Sequence, residues 1–270
     1  MQLPIDPEVE ERIARLEIPF NAQGVDPYGV SKKHLGVFLS MLKFLYRTYF
    51  SVEARGVERV PKRGRAMLVG NHSGGIAIDG AMVITSMLLE MDPPRLAQGM
   101  VEKFMNQTPF MSQWSIRTGQ FTGLPEHAVR LLEDDRLLMV FPEGARGINK
   151  LFAQRYQLSN FGHGFMRLAL ETKAPIVPVA LVGAEEQAPA VADIQPLARL
   201  LGFPSFPVIF PQLLPLPLPV RYRIHFGEPL EFKGSANDDD DVVGGHVKKV
   251  KHTIQRMLEK GLERRRSVFF

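Results

Sequence analysis

Residues 66–80 read AMLVGNHSGGIAIDG, and the order of these residues decides the fold. The apolar run from Ala66 to Gly70 suits a buried strand, Gly74-Gly75 suits a turn, and IDGAMVITSMLLEM from Ile78 onward reads as a helix. The same alternation continues on both sides. VEARGVERV precedes it as a β-rich run. A strand follows near RLAQGMVE, then a helical or irregular stretch from Lys103 to Ile116 and a helix at EHAVRLLEDD. The apolar strand of RLLMVFPEG, a helix at GFMRLALETK and a buried strand at IVPVALVG complete the series. Strand-helix-strand alternation predicts an α/β fold with a mainly parallel central sheet flanked by helices.

A chain of 270 residues is long for one domain and short for two, so one sizeable core is expected. Hydrophobic residues at 45% and charged residues at 23% exclude a largely disordered chain. The formal charge of +4 and a pI near 9.3 lean weakly toward anionic partners. Nucleic acid is not expected, because the sequence has no zinc-ligand spacing, no basic-aromatic motif and no long Lys/Arg block. With no cysteine, disulfides, thiolate nucleophiles and Cys-ligated metals are excluded, and any covalent intermediate has to sit on Ser, Thr, Lys or a carboxylate.

Residues 1–50 read as an N-terminal helical region. Pro7 to Leu16 and Ser31 to Tyr49 suit helices, separated by the loop NAQGVDPYGV. In the second helix Leu35, Phe38, Leu39, Leu42, Leu45 and Phe50 recur near helical spacing. Such a stripe either faces a core or lies in a lipid interface, where Lys32, Lys33, Lys43 and Arg47 would help. Lys43 and Arg47 interrupt it too soon for a membrane span, and the acidic N-terminus argues against a secretory signal.

Residues 51–270 read as the α/β domain, carrying an apolar Pro-rich insertion at 192–220. The prolines of FPSFPVIFPQLLPLPLP forbid helix and central strand, leaving a core cover or a lipid-facing lip. The chain closes on an amphipathic helix with Val247, Val250, Ile254, Met257 and Leu258 on one side. The acidic run Asp238 to Asp241 before that helix and the basic run Arg264 to Arg266 after it match its dipole.

Chemistry is concentrated at two strand ends, which is where open α/β sheets place their sites. At the first, Asn71-His72-Ser73-Gly74-Gly75 offers an imidazole beside glycines whose N–H groups are unobstructed. Asp79, seven places on, either orients that imidazole or caps the helix that begins beside it. At the second, Phe141-Pro142-Glu143-Gly144-Ala145-Arg146-Gly147 puts opposite charges directly after a buried strand. Arg146 there grips a phosphate with its planar fork or pairs with Glu143.

NHSGGIAIDG, then FPEGARG, then APIVPVALVGAEE resemble, in this order, the lysophospholipid and glycerolipid acyltransferase superfamily (PlsC-like). The resemblance spans about residues 52–229. It implies a catalytic His72–Asp79 dyad, substrate binding by Ser73, Gly74, Gly75, Glu143, Gly144 and Arg146, and an N-terminal helical pair docked on a membrane surface. It implies no metal or cofactor, with acyl-CoA or acyl carrier protein as donor, and a peripheral, monotopic location on the cytoplasmic face of a membrane. Two departures from the family pattern stand out. His and Asp are seven places apart rather than five, and the intermediate block reads Gly119-Gln120-Phe121-Thr122-Gly123 where glycerophosphate-using relatives commonly end in Arg. The second departure resembles the monoacylglycerol acyltransferase-like branch and implies a neutral or otherwise modified acceptor.

The mechanism expected from these residues is direct attack. His72 takes the acceptor hydroxyl proton, Asp79 steadies the imidazolium, and backbone N–H groups near Gly74 and Gly75 receive the oxyanion. Two alternatives remain at this point: a serine-type lipid hydrolase using Ser73, although Gly70-Asn71-His72-Ser73-Gly74 departs from the nucleophile elbow, and a non-catalytic lipid-binding protein.

Overall fold

A computed structural model describes residues 4–72, 78–101, 109–201, 207–209 and 217–269. Seven strands form the central sheet: β1 (Glu53–Arg55), β2 (Ala66–Gly70), β3 (Ala97–Val101), β4 (Gln120–Thr122), β5 (Leu137–Val140), β6 (Ile176–Val182) and β9 (Arg223–Phe226), in the order β1-β9-β6-β2-β5-β3-β4. Every pairing is parallel except β6 with β9. The sheet is thus mainly parallel, as the alternating pattern predicts.

Parallel central strands are covered on both faces and read as continuous apolar runs. LLMV of β5 and IVPVALV of β6 are buried at every position. Successive side chains go to opposite faces. Leu68, Met139, Val177, Val179 and Leu181 enter one core with α1 (Pro7–Ala14), α2 (Lys32–Phe44) and α3 (Ile78–Leu89). Met67, Val69, Leu138, Val140, Ala180 and Val182 enter the other with α5 (Pro125–Glu133), α7 (Gly164–Thr172) and α9 (Asp240–Glu263). Val247, Val250, Ile254 and Leu258 of α9 are buried in this second core, and Met257 packs against it.

The stripe on α2 faces the core. Leu35, Leu39, Leu42 and Phe50 are buried in the first cluster, with Phe38 and Leu45 packed against it, and the helix widens into a π-turn at Leu45–Tyr49. The reason lies in α3, which is buried from Met82 to Leu89 on every side and so needs cover on its outer side. α1 and α2 supply that cover, and Arg12 caps the far end of α3 by donating through Nε to the Leu88 carbonyl at 2.7 Å. The first 50 residues therefore differ in element type from the rest but share its core. Two of the four basic residues assigned to a lipid interface are engaged within the protein: Lys43 with Asp6 and Glu8, each at 2.7 Å, and Arg47 with Glu90 at 2.8 Å.

The Pro-rich stretch contains more regular structure than its prolines suggest. A short ribbon of β7 (Ala190–Asp193) and β8 (Pro207–Ile209) brackets α8 (Gln195–Leu201), which fits before the dense prolines begin. Residues 202–206 and 210–216 lie outside the described residues. β4 is an addition to the expected pattern, formed by the Gly119–Gly123 block at the open edge beside β3. α4 (Pro109–Arg117) occupies the end of the stretch expected to be helical or irregular. A four-residue turn of helix, α6 (Ala145–Ile148), follows β5.

Candidate active site

β2 lies between β6 and β5 and is parallel to both, so the carboxyl ends of three adjacent strands meet at one place. The residues that follow those ends are His72, Glu143 and Glu185, one from each block of the sequence. Asn71 fixes the first end. Its side chain is buried, donates to the Leu181 carbonyl at 3.1 Å and accepts from the Leu181 N–H at 2.8 Å, so it extends the β2–β6 ladder one residue past the strand.

His72 Nδ1 lies 2.7 Å from Asp79 Oδ2. An ionised carboxylate only accepts, so Nδ1 carries the proton and Nε2 is left as the ring's acceptor. The other oxygen, Oδ1, accepts the Gly80 N–H at 2.8 Å, in the first turn of α3. The two readings of Asp79 thus hold together, one oxygen serving the helix and the other the imidazole. Asp79 has no solvent exposure, and its charge adds to the effect of burial in pushing the Tyr222 phenol well above its usual range. Phe141, from the second block, stacks on the imidazole with ring centroids 4.4 Å apart and planes 12° from parallel. The ring is therefore held in plane by Phe141 and in rotation by Asp79.

The main chain at His72 is fixed as well. Its N–H donates to Glu143 Oε1 at 3.0 Å. Glu143 Oε2 accepts the Ser159 N–H at 2.6 Å and faces Lys150 Nζ at 3.4 Å. Gly144 turns the chain between them in a left-handed conformation, φ +55°. Gly147 is where the second block touches the first, since a Cβ there would stand 2.7 Å from the His72 carbonyl oxygen. Arg146 does not pair with Glu143. It is exposed, donating through Nη2 to the Asn160 carbonyl at 3.1 Å, and Lys150 takes the place expected of it. Lys150 also lies 3.1 Å from Glu185 Oε1, and burial pushes the Glu185 carboxyl up to about 7.

The structure thus brings His72, Asp79 and Glu143 together, with Gly144 in the supporting turn, while Arg146 is exposed and does not join that cluster. Ser73, Gly74 and Gly75 lie outside the described residues. Asn71 and Phe141 lie within the two strand-end blocks, where nothing in the sequence signals their roles. Lys150 carries no motif signal, whereas Glu185 does, since an acidic pair directly after a buried strand needs a partner. Clefts of about 260 and 340 Å³ lie elsewhere, one bordered by Arg63, Arg95 and Asp135, the other by Tyr28, Gln98 and Arg130; neither is lined by His72. Among the described residues no group of His, Asp and Glu is arranged to hold a metal ion.

Residues 51–182 match the family model described as Acyltransferase. Uncharacterized protein Rv0502 of Mycobacterium tuberculosis is 36% identical over 256 residues, covering 92% of this chain and 70% of that protein. A human protein named DGAT1/2-independent enzyme synthesizing storage lipids is 23% identical over 210 residues, covering 77% of this chain and 61% of its own length. The crystal structure of the 1-acyl-sn-glycerophosphate (LPA) acyltransferase PlsC from Thermotoga maritima superimposes with a TM-score of 0.56 at 19% identity, over 87% of this chain and 83% of that one. The chain belongs to the acyltransferase family that this model describes.

Proposed function

We propose that this acyltransferase moves a fatty acyl group from acyl-CoA or acyl carrier protein to a hydroxyl of a lysophospholipid, glycerolipid or related lipid acceptor. The observation that carries the reading is the 2.7 Å contact between His72 Nδ1 and Asp79 Oδ2, which leaves Nε2 as the base. His72 removes the acceptor hydroxyl proton, Asp79 stabilises the imidazolium, and the oxygen attacks the thioester carbonyl. The thiol of the donor leaves, taking its proton from the imidazolium, and no acyl-enzyme forms. The Gly119–Gly123 block offers no Arg to an acceptor phosphate, which supports a neutral or modified acceptor. The human relative named for storage-lipid synthesis points the same way.

A lipid acceptor fits an enzyme held peripherally at the cytoplasmic face of a membrane. No helix among the described residues is long and apolar enough to cross a membrane. Support for surface docking comes from large apolar side chains exposed on two neighbouring helices: Met41 and Phe44 on α2, Met111, Trp114 and Ile116 on α4. Trp114 meets Phe38 edge-on at 6.3 Å, which joins the two sets. Clusters of this kind mark membrane or protein contact surfaces.

Incubating purified protein with radiolabelled palmitoyl-CoA and a total lipid extract, then identifying the labelled product, tests donor and acceptor together. A labelled acyl ester is expected; label released only as free fatty acid would contradict transfer. Trp114 is the one tryptophan, so its emission reports docking. A blue shift on vesicles of phosphatidylethanolamine and phosphatidylglycerol, lost in Met41→Ser/Phe44→Ser, is expected; no shift would contradict the surface placement.

A further inference from the structure

His72 is held from two directions, and only one of them is explained by the dyad. Asp79 fixes the ring, while the main chain behind it is fixed by Glu143. Glu143 is itself one arm of a buried charged cluster at the ends of β5 and β6. Lys150, 6% exposed at its side chain, sits between the Glu143 and Glu185 carboxylates, which are 0% and 5% exposed. Two carboxylates sharing one ammonium leave a surplus negative charge out of water, an arrangement that a fold maintains at a cost. Lys150 Nζ is nearer Glu185, 3.1 Å, than Glu143, 3.4 Å, and also donates to the Gln157 carbonyl at 3.3 Å.

The wall around this cluster is built and strained. The backbone N–H of Tyr156 favours the ionised form of Glu185, and Tyr156 adopts φ +62°, a left-handed conformation that costs a tyrosine energy. Its hydroxyl, which accepts the Gly183 N–H at 2.8 Å, donates to Glu186, and Glu186 is balanced in turn by Arg265, two residues past α9, at 2.5 Å. Glu186 therefore has a cation of its own. Among the described residues, Glu185 and Glu143 have one between them.

We propose that Lys150 and Glu185 are positioning residues for the base: the ammonium they share with Glu143 sets the place of the carboxylate that receives the His72 N–H. When Glu185 is neutral, Lys150 pairs with Glu143 alone and the His72 turn is held firmly. When Glu185 ionises, it draws Lys150 away and the turn loosens. Burial, the largest influence, together with the Glu143 charge, outweighs Lys150 and the Tyr156 N–H and puts that change near neutrality. This inference rests on His72 being the base of the proposed transfer.

Two measurements on the full chain test it, one with turnover and one without. Steady-state transfer from palmitoyl-CoA to a total lipid extract is compared for the wild type, Lys150→Met, Lys150→Arg and Glu185→Gln between pH 5.5 and 8.5. Lys150→Met is expected to lower kcat at least tenfold with KM for palmitoyl-CoA within twofold, and Lys150→Arg to recover part of it. Glu185→Gln is expected to match the wild type near pH 6 and to exceed its kcat at least twofold above pH 7.5. The second measurement follows the backbone amide of His72 in protein labelled with 15N-histidine, the resonance being the one lost in His72→Gln. A titration step near pH 7 in the wild type, absent in Glu185→Gln, is expected. Wild-type kcat in Lys150→Met, or the same pH profile and amide titration in the wild type and Glu185→Gln, would overturn the proposal. If palmitoyl-CoA is not turned over at all, the functional reading fails on its own, while the amide titration still decides whether Glu185 controls the His72 turn.

Discussion

Two buried ion-pair sites lie at opposite ends of the sheet, and they are built differently. At the amino end, Arg136, just before β5, pairs with Asp26 at 3.1 Å, both nearly fully buried. Asp26 also accepts the N–H groups of Tyr28 and Val30 at 2.9 and 2.8 Å, and the guanidinium stacks over the Tyr28 ring. One cation meets one anion, and the pair closes the Pro27–Val30 loop. At the carboxyl end Lys150 faces two carboxylates, and a histidine hangs on one of them. Burial of charge alone therefore does not mark the site; unequal charge behind the main chain of the candidate base does.

This contrast can be broken by four substitutions, taken from the largest expected effect to the smallest. Asp79→Asn leaves the helix N–H a partner but removes the charge that holds the imidazolium, so transfer should fall by roughly 10²- to 10⁴-fold with an unchanged circular dichroism spectrum. Near wild-type turnover would reduce Asp79 to a helix cap. Asp26→Ala strands a buried guanidinium and should cost about 3–5 kcal/mol in urea unfolding, with activity per folded molecule retained. Loss of activity without loss of stability would mean that the amino-end pair also serves the site.

Glu185→Gln should act on stability with a definite sign. The folded carboxyl titrates near 7, above its ordinary value of 4.5, so between these the folded state holds a proton that the unfolded state has released. The wild type accordingly loses stability as pH rises through that window, by on the order of 3 kcal/mol at most, and the variant should not. Parallel thermal melts at pH 5 and pH 8 check this, and an equal drop in both proteins would contradict it. Arg63→Ala removes an exposed pair with Glu17, 75% and 51% exposed at the two side chains, and should leave the melting temperature unchanged.

Much of this arrangement was legible beforehand because its signals are local. The apolar runs of β2, β5 and β6, each followed by a glycine-containing charged or polar block, show both the parallel sheet and the end of it that carries chemistry. His72 and Asp79 were readable for the same reason, being seven residues apart on one strand-to-helix connection. What stayed hidden depends on where separate segments meet. The α2 stripe faces the core rather than lipid because α3 is buried on every side and needs its cover, which periodicity in α2 cannot show. Glu143 pairs with Lys150 and not Arg146 because the short α6 turn brings Gly147 against His72 and leaves Arg146 exposed. Lys150 and Glu185 are 35 residues apart, and only the β6–β2–β5 order makes them neighbours.

The central claim is tested most directly by His72→Ala in the assay with radiolabelled palmitoyl-CoA and total lipid extract. Transfer should drop to background while the thermal melt stays cooperative. A folded His72→Ala protein that still forms the labelled ester at a rate near the wild type's would contradict the account.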